Sequence, residues 1–408
     1  MQLAKNSLWL LLARIGTQGM AALLTIILAR RLGSAGFGEY ALIAAIVFIG
    51  NMLTTFGTDM SMIREIAARD DLSLLPSALV LQLLLSVLFI FFVWIGAPLM
   101  PNQGADTILA LRIYGFALIP LAFFTVFTSA LRGRQLMDAY TWLNLIGSFV
   151  QLSIIWFFME AGESVVRLAI LLLVSQFFVA WVGAVLCNIW IPGFWSAWRI
   201  DSKDVVNLLK MSSPFALLTV LAMLYQRLGI LMISGISGAA MTGLFSAAQR
   251  TVEAAKTGHV AVFTALYPAM AKDKEENFRS SWIVLLAGAG LGAITLSALA
   301  MPLTRILFGV EYEASAAVLQ VLAWILIPYS ISTFLTLKFA AHKQEIPILR
   351  ASLVSLLVLA SLSLWWIPSI GLLGASGAML AAESVQAALL FLQSRRYEFS
   401  KLSREAHI

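Results

Sequence analysis

Charge is what this sequence has least of. Only 12% of its 408 residues are Asp, Glu, Lys or Arg, against 61% hydrophobic, so no soluble domain of ordinary size can be set apart within it. The longest hydrophilic stretch, residues 192–212, has the length of a linker. Cysteine is nearly absent: Cys187 stands alone inside an apolar block, which excludes a disulfide framework and a cysteine-built metal site. The histidines His259, His342 and His407 lie far apart without ligand spacing, so zinc chemistry is not expected. No nucleic-acid module is recognisable. Long external loops are missing too, since 98–106 and 159–166 amount to a turn or two. That leaves little room outside a membrane for the catalytic groups of a glycan polymerase or ligase.

What the chain does contain is about twelve long apolar blocks, near 7–29, 36–57, 73–97, 107–131, 139–159, 165–190, 213–235, 241–268, 281–302, 315–337, 347–368 and 371–393. Each is close to the roughly twenty residues that cross a bilayer. The first follows Lys5 as a signal peptide would, but Arg14 interrupts it and the block continues to Ala29, so a retained helix is expected. Between the blocks, Lys and Arg fall on every second loop. Placing the N-terminus in the cytoplasm puts Lys5, Arg64, Arg69, Arg132, Arg134, Arg199, Lys203, Lys210, Lys272, Lys274, Arg279, Lys338, Lys343, Arg350, Arg395, Arg396, Lys401 and Arg404 inside. Outside are Arg30, Arg31, Arg167 and Arg305. Eighteen against four fixes the orientation by the positive-inside bias and accounts for most of the net charge of +6. Both termini are then cytoplasmic.

Two self-matches divide the chain. Leu118-Ile119-Pro120 recurs as Leu326-Ile327-Pro328, and Gly33, Gly38 and Tyr40 correspond to Gly238, Gly243 and Phe245. The expected fold is an all-α polytopic membrane protein of two six-helix halves, 1–197 and 198–408, related by a pseudo-two-fold axis along the membrane normal. The join, Arg199 to Lys210, collects apolar residues on one helical side and charges on the other, as a short helix lying on the inner leaflet would. Trp190, Trp195 and Trp198 read as interface anchors.

The remaining charges fall inside or near spans: Arg14, Arg112, Arg227, Arg250 and Lys256, with Asp59, Glu253 and Glu383. Each costs a few kcal/mol at the bilayer centre, about 3 on insertion scales, so they should face water or one another. Arg227 lies eight residues before the outer turn at 235–240 and Arg250 ten after it, which places both roughly 12–15 Å deep. Glu253 and Lys256 follow Arg250 at steps of three, along one helix face. Arg14 lies about a third of the way in from the inner end of the first helix. The inferred site is a cationic cavity between the halves lined by Arg14, Arg227, Arg250 and Lys256. Guanidinium forks suit phosphate or pyrophosphate. Glu383, near mid-depth in the last helix, with Glu253 and Asp59, are the candidates for coupling to H+ or Na+. Snorkelling is the plain alternative for Arg14 and Arg112, and mutual neutralisation with Glu253 the alternative for Arg250 and Lys256.

The run from Ala29 to Ala41, Ala-Arg-Arg-Leu-Gly-Ser-Ala-Gly-Phe-Gly-Glu-Tyr-Ala, resembles the signature after the first helix of bacterial polysaccharide flippases in the multidrug/oligosaccharidyl-lipid/polysaccharide exporter superfamily. Residues 56–67, Leu131-Arg132-Gly133, 208–214 and 243–250 are similar to further points of that family's pattern, in the same order. The resemblance implies a fold like the multidrug exporters. It also implies a flippase that carries a polyprenyl-pyrophosphate-linked oligosaccharide from the inner to the outer leaflet of the bacterial plasma membrane by alternating access. The implied partners are that lipid, the bilayer, a glycan polymerase and a chain-length regulator, with no cofactor. Arg250 matches the basic position closing the helix-eight motif, and Arg14 resembles a basic residue in helix one of some relatives. Gly258-His259 stands where many relatives carry a proline. The chain leaves no room for the extra C-terminal helices of some lipid II flippases and is closer to the O-antigen or exopolysaccharide repeat-unit type. A drug or cation antiporter of the same superfamily would be expected to set carboxylates, not arginines, at the binding level. A major-facilitator symporter would carry a glycine-rich basic motif where residues 64–71 have no glycine.

Overall fold

The structure, a computed structural model, describes the backbone of residues 2–198, 202–272, 275–341 and 344–405, with side chains at 6–195, 198, 204–213, 220–221, 223–257, 284–339 and 344–395. The side chains of all three histidines, and of Lys5, Arg199, Lys203, Lys272, Lys274, Arg279, Lys343, Arg396, Lys401 and Arg404, lie outside the described residues. The described chain is helical without a strand. Its helices are α1 Gln2–Thr55, α2 Thr58–Arg69, α3 Leu74–Gly96, α4 Ala105–Gly115, α5 Leu118–Gly133, α6 Met137–Phe158 and α7 Val165–Trp190. They continue with α8 Ser202–Lys272, α9 Glu275–Ala298, α10 Ala300–Leu307, α11 Ser315–Ala323, α12 Leu326–Ala341 and α13 Glu345–Glu405. Among the described residues seven helices are long and apolar enough to span a bilayer, or nine when the bent pairs α9–α10 and α11–α12 each count as one.

Three helices are too long to be single crossings. A helix of 54 residues, the length of α1, would reach about 81 Å at 1.5 Å per residue, against a hydrocarbon core of about 30 Å. Each contains a break. Gly33 in α1 has φ 68° and ψ −179°, and Gly238 in α8 has φ 80° and ψ −176°, the same backbone state, open essentially only to glycine. In α13 the break falls at Ile370 and Gly371 (φ 60°, ψ −132°).

Pair contacts show what the breaks do. Across α8, Gln249 donates to the Gln226 carbonyl, Arg227 pairs with Glu253, and Gly229 faces Phe245. These pairs mirror one another about Gly238, so the two arms lie antiparallel. In α13, Ser355 donates to the Ala382 carbonyl and Gly374 and Gly377 back onto Trp366, a second fold-back. For α1 the sense follows from its neighbours. Its first arm runs parallel to α6, with Thr141 on the Trp9 carbonyl and Arg31 on the Ile155 carbonyl. Its second arm runs antiparallel to α3, with Gly50 on Phe89 and, just beyond, Gln82 donating to Thr58. Short turns make α3 antiparallel to α4–α5, and α4–α5 antiparallel to α6. The arms of α1 are therefore opposed as well.

The other matched tripeptide also marks geometry. α5 starts at Leu118 and α12 at Leu326, each after a two-residue break from the helix before. Pro120 and Pro328 lack the N–H that would bond the carbonyls of Phe116 and Trp324, so each helix stops there and restarts with proline in its first turn.

The chain divides into two compact units, Met1–Met223 and Leu224–Ile408. In the first, α7 packs on α4, α5 and α6, and α6 on α1. Its core gathers Met62, Ile66, Leu75, Phe127, Leu131, Leu143, Cys187, Phe194 and Leu208. In the second, α13 packs on α11 and α12, and these on α9.

Two expectations change. Residues 202–210 do not form a separate surface helix. They are the opening turns of α8, unbroken to Gly238, with Leu208 fully buried in the first unit's core and Ser212 bonded to Ser61 (2.9 Å). Leu208 and Val205 pack into that core, while Val206 and Leu209 stay exposed. Trp195 and Trp198 are not simple interface anchors either, because they stack on each other and on buried Phe194 at centroid distances of 4.9–5.9 Å.

Three arginines, Arg31, Arg112 and Arg167, close helix ends. Arg31 donates to the carbonyls of Ile155 and Trp156 (both 2.9 Å) and Met159, and Arg167 to that of Phe158 (3.0 Å), all at the C-terminus of α6. Arg112 donates to the Trp94 carbonyl at the end of α3 (2.9 Å) and lies over the Trp94 ring. Carbonyls in the last turn of a helix are short of partners in their own helix, and the helix dipole favours a cation there.

Gly33→Ala and Gly238→Ala should each lower stability by about 1–3 kcal/mol, the cost of a side chain in that backbone state. Gly288→Ala, in an open, helical position, should be neutral or mildly stabilising. Thermal unfolding in detergent, followed by tryptophan fluorescence, separates the three.

Candidate functional site

The reversal at Gly238 lays two polar helix faces side by side. From the first arm of α8 comes Arg227, a buried guanidinium whose side chain is 10% exposed. From the second arm come Gln249, Arg250, Glu253 and Lys256, spaced so that they share one face. Glu253 is the centre of the group. Its Oε1 faces Arg227 Nη1 at 3.7 Å and accepts from Gln249 Nε2 at 3.2 Å, while Oε2 accepts from Arg250 Nη1 at 3.2 Å. Gln249, itself buried, also donates to the Gln226 carbonyl (3.3 Å) and so ties the two arms together.

Lys256 turns elsewhere, its Nζ 4.3 Å from the Tyr329 ring centroid on α12. The ring face holds the ammonium without neutralising it. Two arginines therefore share one carboxylate, with Lys256 a third cation on the same helix face.

Glu383 is separate from this group. It is 3% exposed, on the second arm of α13, and accepts from the Tyr225 hydroxyl at 2.8 Å. Tyr225 stands two residues before Arg227, so the first arm of α8 offers its guanidinium and its phenol on different sides, one to Glu253 and the other to Glu383.

The remaining two candidates belong to the first unit. Arg14 is exposed on the first arm of α1. Asp59 is half-buried in the first turn of α2, just after a break where Phe56 and Gly57 both take left-handed conformations. Beside that break runs a buried polar seam: Thr58 donates to the Thr55 carbonyl (2.6 Å), Gln82 donates to Thr58 (2.7 Å), and Ser61 bonds Ser212.

The structure thus brings Arg227, Arg250 and Glu253 into contact, leaves Lys256 on the same helix face, and gives Glu383 a different partner. Tyr225, Gln249 and Tyr329 were not singled out from the sequence. Gln249 carried a signal, since it sits one turn from Glu253 on the face already identified. Tyr225 and Tyr329 carried none, because each meets its partner across a separation in sequence of 158 residues for Tyr225–Glu383 and a different helix for Tyr329–Lys256.

A multi-pass helical chain with paired half-chain features and charged groups at mid-span is built like a membrane transporter, and solved structures share its fold. One is titled as an inward-facing multidrug resistance MATE family transporter of the MOP superfamily (17% identity, 95% of this chain and 96% of that one, TM-score 0.71). Another is the lipid II flippase MurJ in an inward closed conformation (14% identity, 96% and 87%, TM-score 0.77). A third is a MOP superfamily transporter from Pyrococcus furiosus (17% identity, 97% and 92%, TM-score 0.57). Among curated proteins no sequence matches this one. Residues 3–274 match the family described as "Polysaccharide biosynthesis protein", and the chain belongs to that family.

Removing the phenol leaves a buried carboxylate without that donor. Tyr225→Phe should cost about 1–3 kcal/mol. In a double-mutant cycle with Glu383→Gln, measured by denaturant unfolding in micelles, the two losses should fail to add by about 1 kcal/mol or more.

Proposed function

We propose that this protein is a flippase that moves a polyprenyl-pyrophosphate-linked oligosaccharide from the inner to the outer leaflet of the bacterial plasma membrane by alternating access. The observation that carries the reading is the convergence of Arg227 and Arg250 on the carboxylate of Glu253, with Lys256 on the same helix face. Cations gathered within a membrane-spanning chain are costly, and a ligand with more than one negative charge suits them. A pyrophosphate presents several oxygens to guanidinium forks. Membership of a polysaccharide biosynthesis family favours a glycan-bearing pyrophosphate over a free anion. An exporter of small cations on the same fold would meet repulsion at this site.

In this reading Arg227, Arg250 and Lys256 hold the head group, and Arg14 of the first unit is a fourth cation on its path. Counting each arm of α1, α8 and α13 as a crossing gives twelve, with both termini cytoplasmic. Of the three carboxylates, Glu253 is committed to arginines and Asp59 sits in a short helix near the inner side. Glu383, buried with a phenol, is the better candidate for exchanging the coupling ion, H+ or Na+. A glycan polymerase and a chain-length regulator are the expected neighbours.

Arg227→Ala and Arg250→Ala should each stop outward delivery at normal protein level. Complete, unpolymerised lipid-linked units would then collect on the inner leaflet, detectable by mass spectrometry of extracted lipid with leaflet-selective labelling. Normal delivery by both variants would remove the head-group assignment. Topology is testable separately because the chain has one cysteine. In a Cys187→Ala background, cysteines placed at Asn102 or Glu160 should react with an impermeant thiol reagent in intact cells, and one at Gln135 only after lysis. The reverse pattern would invert the orientation.

A further inference from the structure

Lys256 has a carboxylate within easy reach and does not take it. A lysine three residues after a glutamate on a helix can pair with it, and Glu253 stands three residues before Lys256. Glu253 instead meets Arg227 and Arg250, and among the described residues no carboxylate lies within ion-pair distance of Lys256. Its ammonium lies 4.3 Å from the centroid of the Tyr329 ring, inside the roughly 6 Å at which an aromatic face attracts a cation. The ring carries no charge to cancel the lysine's. Backbone geometry fixes its place: Tyr329 follows Pro328 in the first turn of α12, where the bent α11–α12 span restarts, and its N–H bonds the Ile325 carbonyl (2.9 Å). The first unit has the same restart at α5, and there the residue after the proline is Leu121. Counted from the matched glycines Gly33 and Gly238, Arg250, Glu253 and Lys256 correspond to Ala45, Phe48 and Asn51. The restart itself therefore does not demand an aromatic ring. The ring occurs in the half that has the lysine.

We infer that Tyr329 is a positioning residue for the anionic head group: its ring holds Lys256 away from Glu253 and keeps the ammonium charge for a pyrophosphate. The inference rests on the reading of this helix face as an anion site. From Arg250 to Lys256 the helix rises about 9 Å, so the lysine extends the charged face beyond the arginines. A lysine stem is flexible, and a contact that orders it before the ligand arrives lowers the entropic cost of binding. Without the ring, Lys256 turns to Glu253. The ligand must then break an ion pair before it gains the ammonium.

Calorimetry of inorganic pyrophosphate binding to the full-length protein in detergent tests the role. Tyr329→Leu should weaken binding about three- to tenfold, whereas Tyr329→Phe, which keeps the ring, should stay within about twofold of the unmodified protein. Tyr329→Met stands in if the leucine variant does not fold. Lys256→Gln should weaken binding to a similar degree, and adding Tyr329→Leu to it should change nothing further, because the ring acts through the lysine. A ring that only packs α12 would give the same loss with or without Lys256. That result overturns the positioning role and leaves the anion site standing, as does an equal loss in Tyr329→Phe, or unchanged or tighter binding in Tyr329→Leu while Arg250→Gln weakens it. Binding unaltered by Lys256→Gln, Arg227→Gln and Arg250→Gln alike overturns the anion reading itself.

Discussion

Backbone satisfaction inside the bilayer governs the architecture. A peptide group in hydrocarbon has no water to bond, so a spanning chain of this kind must stay helical and may reverse only where the freed N–H and C=O groups find another partner. The positions of the breaks follow. Gly33 and Gly238 reverse the chain through a conformation that costs glycine little. Pro120 and Pro328 interrupt a crossing where a donor is missing in any case. At the end of α6 the last carbonyls are met by Arg31 and Arg167, which gives those two charges a structural reason.

The same solvent constraint separates ionisable groups into two kinds. Arg31, Arg112 and Arg167 are bonded to backbone carbonyls of helix ends; they finish the fold. Arg227 and Arg250 instead meet a side-chain carboxylate, Glu253. The kind of partner, more than the presence of charge, separates the two sorts of arginine here.

Much of this was legible in the sequence because it is written in local patterns. Helical class followed from apolar block lengths, and the half-chain repeat from Gly33/Gly238 and the two Leu-Ile-Pro tripeptides, which proved to mark backbone geometry at equivalent places. Arg227, Glu253 and Arg250 could be set at one depth because helical rise is constant and the turn between them was visible. What was hidden depends on distant pairings. The linker at 202–210 reads as amphipathic whether its apolar side meets lipid or Met62 and Ile66, and only the fold shows that Leu208 joins them. The breaks before Pro120 and Pro328 were available in principle, yet the smooth hydropathy of the spans masks them. The Tyr225–Glu383 bond joins two fold-backs whose relative placement no periodicity encodes.

The two carboxylates on either side of the first arm of α8, Glu253 and Glu383, make that arm the element that touches both. Arg227 and Tyr225 are two residues apart on one rigid helix, so a rotation or shift that loosens Arg227 from Glu253 necessarily changes the Tyr225–Glu383 bond as well. An anion that binds Arg227 and an ion that binds Glu383 would then act on the same body. Linkage requires that such effects be mutual: if occupancy of one site alters affinity at the other, the reverse holds by the same factor. A single helix carrying both contacts joins the two groups without a separate relay of side chains. Gly238 ends that arm in a backbone state open essentially only to glycine.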